Sequence, residues 1–141
     1  APGTYSGTVK IKVTQYETGK ANVTEEVESI STETINHSGM LCNMNGEPIA
    51  EGMVLQSNLG GVSSNQTVQG VSVSTNGITI VLSGSMTVNS PTLGTISGQV
   101  QQRLTYTYID ERSLEYKVLL TAGDNTGKYA MTVQGSGVLR K

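Results

Sequence analysis

Val100-Gln101-Gln102-Arg103-Leu104-Thr105-Tyr106-Thr107-Tyr108 decides the fold. Val100, Gln102, Leu104, Tyr106 and Tyr108 share one parity, and polar residues fill the other. Such a period of two is the mark of a half-buried β-strand. Asp110-Glu111-Arg112-Ser113 then turns the chain, and Leu114, Tyr116, Val118 and Leu120 resume the alternation against Glu115, Lys117 and Leu119. Asp124-Asn125-Thr126-Gly127 turns it again, into a strand that carries Tyr129, Met131 and Val133 and ends near Leu139. Consecutive strands joined by short turns pair antiparallel, so the last third reads as a meander.

The same reading extends toward the N-terminus. In Thr4–Thr14, Val9, Ile11 and Val13 alternate with Lys10, Lys12 and Thr14, a strand with one wet face. Glu17-Thr18-Gly19-Lys20 reads as a turn. Residues 22–35 stay open between two states. Val23, Val27 and Ile30 have helical spacing behind a cap at Asn22 or Thr24, whereas the β-branched content of Ser29–Ile35 favours a strand with a bulge. Met40, Cys42 and Met44 lie two apart, which places them on one strand face, and Asn45-Gly46 followed by Pro48 turns the chain. Ile49–Ser57 reads as a strand ended by Gly60-Gly61, and Thr67–Ser74 as another. Asn76-Gly77 sits between two alternating runs and reads as a hairpin turn. Its return strand puts Ile78, Ile80 and Leu82 on one face, extends through Val88, and stops at Asn89-Ser90-Pro91.

Eight to ten strands in 141 residues, with no linker or composition break, make residues 1–141 a single all-β domain. The architecture expected is an antiparallel up-and-down β-barrel; the alternative is a two-sheet β-sandwich. Closure is favoured because residues 52–102 contain no Asp, Glu, Lys, Arg or His, so an open edge there has no charged gatekeeper.

Composition excludes several classes of function. A net charge of −2 leaves no counter-ion-release grip on nucleic acid, so no nucleic-acid partner is expected. No apolar run approaches the ~18 residues of a membrane helix. One Cys and one His rule out a disulfide framework and a multi-histidine or paired-cysteine metal centre. With no Phe and no Trp, the six tyrosines, the methionines and the aliphatics must fill the core.

Gly3-Thr4-Tyr5-Ser6-Gly7-Thr8-Val9-Lys10-Ile11-Lys12-Val13 resembles the opening strand of the calycin-like (lipocalin-like) β-barrel domains of exported bacterial proteins. Those domains typically begin Gly-Thr-Tyr-x-Gly-Thr and continue into an alternating strand. The wider group opens with Gly-x-Trp and sets a late Arg against that ring; Tyr5 takes the Trp position here and Arg140 is the counterpart of the Arg. The resemblance implies an extracytoplasmic barrel, in the periplasm, on the outer-membrane surface or secreted, with no settled activity. The chain lacks a leading Cys, and the expected membrane contact is limited to a lipid anchor on a trimmed N-terminus.

No catalytic constellation emerges, and neither a cofactor nor a metal site is expected. His37 lies in a polar stretch and reads as a surface histidine. His37, Met40, Cys42 and Met44 are soft-ligand types, but Met and Cys two apart read as core. Glu25, Glu26, Glu28 and Glu33 read as a solvated acidic face. Tyr106, Tyr108, Tyr116 and Tyr129 combine apolar rings with polar tips and are the candidate ligand-binding residues, against the alternative of cross-strand packing. Two functions are therefore carried forward. One is a non-catalytic exported barrel binding a small apolar or amphipathic ligand. The other is an envelope or surface interaction protein with a filled core and a protein or glycan partner. Large inward side chains would favour the second, and small ones the first.

Overall fold

The computed structural model describes residues 1–59 and 62–141, and within them the chain is all β with no helix. Nine strands follow one another: β1 (Gly3–Glu17), β2 (Val23–Ile35), β3 (Leu41–Cys42), β4 (Val54–Leu59), β5 (Val62–Ser74), β6 (Gly77–Ser90), β7 (Gly94–Asp110), β8 (Ser113–Asp124) and β9 (Tyr129–Arg140). They form one antiparallel sheet in the order β3-β2-β1-β9-β8-β7-β6-β5-β4. Every pairing is between sequence neighbours except β1 with β9, which run together from Ser6↔Arg140 to Glu17↔Tyr129 and place the first and last strands side by side mid-sheet.

The order ends at β3 and β4, which are not bonded to each other, so the sheet does not close by hydrogen bonding into the cylinder expected from sequence. A loop substitutes for part of the closure. Ile49 N–H donates to Leu41 O, Gly52 N–H to Val68 O, and Val68 N–H to Met53 O, at 2.8–2.9 Å. The β3–β4 connection thereby covers part of the β5 edge that β4 leaves free, and orphaned backbone groups find partners.

The sheet is curled on itself. Ile35 of β2 and Leu41 of β3 share one buried cluster with Val68, Ile80, Tyr106, Leu114 and Leu139, so both ends of the strand order pack into one interior. A second cluster around Val13, Met86, Val100, Leu120, Met131 and Val133 fills the other half. Tyr5 and Tyr106 are fully buried and supply the ring volume that Phe and Trp do not. Two devices maintain the inward pattern. A bulge between Val68 and Gly70 switches parity in β5, so Val71 and Val73 follow Val68 on the inner face, opposite Ile80 and Ile78. Gly98 lets β8 approach: a Cβ there would lie 1.8 Å from Gly123 O, a distance no side chain tolerates.

Four local expectations need correction. Residues 23–35 are strand, the second of the two readings left open, but its expected bulge is absent: the register with β1 runs unbroken from Gly3↔Ile35 to Gln15↔Val23. Alternation fails in β2 because residues 23–30 are exposed on both faces, so neither parity is selected for burial. The hairpin loop is Thr75-Asn76 with Ser74 paired to Gly77, one residue earlier than the Asn-Gly signal implied. Gly77 is needed instead where β7 passes, since a Cβ there would sit 1.9 Å from Tyr106 O. The Met40–Met44 stretch holds only a two-residue strand, and the strand expected over Ile49–Ser57 begins at Val54 because Ile49–Met53 form the seam loop. The expected stop at Gly60-Gly61 lies outside the described residues.

Candidate functional site

The four late tyrosines do not form one site. Tyr106 and Tyr116 are directly paired across β7 and β8 and stack with ring centroids 5.2 Å apart and planes 24° apart. That spacing is a favourable offset pair. Tyr108 packs, partly buried, against the same cluster. Tyr129 belongs to the other cluster, where its hydroxyl accepts a 2.9 Å hydrogen bond from Gln15 Nε2. Inward positions are occupied mainly by Val, Ile, Leu, Met and Tyr rather than by small residues.

Glu33 is the carboxylate that joins the ring pair. It has the parity of Ile35, so it points inward from β2 while its acidic neighbours do not enter the core. Its carboxylate accepts from Ser31 Oγ at 3.3 Å and faces the Tyr106 hydroxyl closely enough to couple to it electrostatically. Burial raises the Glu33 pKa above the ordinary carboxylate range, and the two hydroxyls only partly offset this. Burial likewise pushes Tyr106 far up and Tyr116 up to about 12, the negative charge of Glu33 adding to both. Among the described residues no cation lies within ion-pair distance of Glu33. The solvated-face reading of the four glutamates therefore holds for Glu25, Glu26 and Glu28, which are exposed, and fails for Glu33. The signal was present in the shared parity of Ser31, Glu33 and the apolar Ile35.

The most open feature is β2 itself. On one side it pairs with β1 along its whole length; on the other, only Thr34 and Ile35 pair, with β3. The backbone edge of Val23–Glu33 is thus unpaired among the described residues. Apolar side chains stand exposed on both faces of this edge, Val27 on the inner face (47% exposed) and Ile30 on the outer (79%). Glu25, Glu26 and Glu28 stand exposed with them, Glu26 and Glu28 opposite Lys12 and Lys10 of β1. The outer face is tied to β1 by cross-strand hydroxyl pairs, Thr4–Thr34 at 3.1 Å and Ser6–Thr32 at 2.9 Å. The edge is therefore held in extended form and ready to pair.

The remaining candidates are dispersed. His37 is exposed in the turn after β2. Cys42 is buried, whereas Met44 is fully exposed in the Asn43–Gly46 turn, so Met40, Cys42 and Met44 do not share a strand face. The turn diverts the chain before the third member, and Asn43 Oδ1 fixes it by accepting from Asn45 N–H and Glu47 N–H at 3.0 Å. The cation beside the Tyr5 ring is Lys141, whose Nζ lies 5.5 Å from the centroid, rather than Arg140, which is exposed. Strand parity explains the difference, since Arg140 is outward and flanked by the inward Leu139. Compared with known protein families, with curated proteins and with solved structures, the chain matches none.

Proposed function

We propose that this protein is a non-catalytic interaction module that takes up an extended segment of a partner protein along the free edge of β2. One observation carries the reading. Val23–Glu33 is a long, hydrogen-bond-competent edge with exposed apolar residues on both faces and no covering element among the described residues. A partner strand would satisfy the idle backbone groups, and its alternate side chains would give selectivity. The occupant fitted by the edge is a segment alternating apolar with Lys or Arg. Its apolar side chains, all on one face, would meet Val23 and Val27, and its cations, on the other face, would meet Glu26 and Glu28.

The large inward side chains support this reading over a ligand cup, because Tyr106 and Tyr116 spend their ring faces on each other and Tyr129 lies in a different cluster. An extracytoplasmic setting belongs to the same proposal. It is supported by the resemblance of the opening strand and by the charge-free stretch 52–102. The test is titration with a nine-residue peptide of alternating Lys and Val, followed by amide NMR. Saturable shifts confined to β2 and its β1 neighbours are expected, with loss of binding in Glu26→Lys/Glu28→Lys. Shifts centred on Tyr106 and Tyr116, or no saturable binding, would overturn the proposal.

A further inference from the structure

Two depressions on the outer face of the sheet lie end to end and share Arg103. One, of about 500 Å³, spans β1, β9, β8 and β7 and is lined by Lys10, Lys12, Lys117, Ser136 and Arg103 among others. The second, of about 410 Å³, continues over β6 to β5 and ends at Gly70–Ser72. Together they cross six strands, or roughly 24 Å at ~4.8 Å per strand spacing.

The trough has a simple origin in side-chain length. The register Lys10↔Ser136↔Lys117 sets β9's short Ser136 between two lysines, and Lys12↔Gln134↔Leu119↔Arg103 sets uncharged Gln134 and Leu119 between Lys12 and Arg103. At the far end Gly70 leaves open space where a side chain would stand. Lys10, Lys12 and Arg103 make no ion pair within 4 Å among the described residues, and Lys117 makes one at 3.5 Å with Glu115. Arg103 is flanked in register by Val81 and Leu119, with no acid beside it. Glu26 and Glu28 lie beyond the lysines, outside the trough. Between the cations stand hydroxyl and amide side chains, Ser72, Thr79, Thr105, Gln134 and Ser136, together with the aliphatic Leu119 and Val81.

We infer that this trough is a binding site for a linear acidic polysaccharide. Its length across the strands fits a chain molecule laid over the curved outer face. Its cations fit carboxylates or sulfates, and its neutral donors and acceptors fit the sugar hydroxyls between them. A paired sheet face has no idle backbone groups with which to hold a peptide strand, and the lining holds no aromatic residue with which a protein anchors in a membrane interface. The site is separate from the β2 edge, and neither proposal depends on the other.

The probe is a galacturonate hexamer, titrated at low salt and followed by amide NMR, with a galactose hexamer, a glutamate hexamer and vesicles containing anionic phospholipid run in parallel. Saturable binding of the uronate is expected, with shifts centred on Arg103, Lys117 and Ser136. Affinity should fall at least tenfold for the neutral hexamer and in the variant Arg103→Gln/Lys117→Gln, whose melting temperature stays that of the parent. It should also weaken as salt rises. Any of three results overturns the inference: no saturable uronate binding at millimolar concentration, equal affinity in the double variant, or tighter binding of the glutamate hexamer or of vesicles than of the uronate.

Discussion

Removing the Tyr106 hydroxyl tests its interaction with Glu33 across the interior. Tyr106→Phe keeps the ring stacked on Tyr116 and leaves the Glu33 carboxylate with Ser31 Oγ at 3.3 Å as its hydrogen-bond donor. A hydrogen bond to a charged group contributes about 1.5–3 kcal/mol, so the substitution should cost about 2 kcal/mol at a pH where Glu33 is ionised. In a Glu33→Gln background the same interaction joins neutral groups and contributes about 1 kcal/mol, leaving a coupling of about 1 kcal/mol in the double-mutant cycle. The sign of the pH dependence follows from burial, which raises the Glu33 pKa in the folded state. The native protein then holds the proton more tightly than the unfolded chain does. This contribution is fully present below the unfolded carboxyl pKa and is lost as pH rises through the folded value. Parent stability should accordingly decline relative to Glu33→Gln as pH rises across that window, and the coupling should grow with it. Urea unfolding followed by circular dichroism from pH 4 to 7 measures both. A cycle additive to within ~0.3 kcal/mol, or a coupling indifferent to pH, would refute the interaction.

Three further outcomes follow from packing. Gly98→Ala should prevent stable folding, since its Cβ meets Gly123 O at 1.8 Å, while Gly70→Ala, with nothing within 4 Å, should shift stability by no more than ~0.5 kcal/mol in urea melts. Leu139→Ala, at a fully buried site, should cost about 2–5 kcal/mol by the same measurement; a smaller loss would show that β9 is not in the core. Dilute peroxide should convert the fully exposed Met44 to the sulfoxide well before the buried Met86, as peptide mass spectrometry would report.

What could be read from sequence divides along burial. β6 through β9 were legible because one parity is buried along much of their length, as in Ile78-Ile80-Leu82 and Leu114-Val118-Leu120, and burial imposes the alternation. β2 was ambiguous because burial does not act on residues 23–30, where two exposed faces leave composition without a period. The seam was invisible for another reason. Whether a sheet closes depends on the loop Ile49–Met53 meeting Val68, a contact across sequence that no local pattern encodes. Of the four candidate tyrosines, Tyr106 and Tyr116 were brought together because they are register partners, whereas Tyr129 sits near the opposite end of its strand from the residue paired with Tyr116. Glu33 was concealed among three exposed glutamates; Glu25 shares its parity, and only its place two residues from the buried Ile35 sets Glu33 apart.

The openness of the sheet along β2 is tested most directly by amide hydrogen exchange across residues 23–33, read against β1 and β9. Alternate amides of Val23–Glu33, those facing away from β1, should exchange orders of magnitude faster than the slow amides of the β1–β9 ladder. Uniform protection along Val23–Glu33, matching that of β1, would mean that this edge is already paired, and would contradict both the open sheet and the docking role proposed for it.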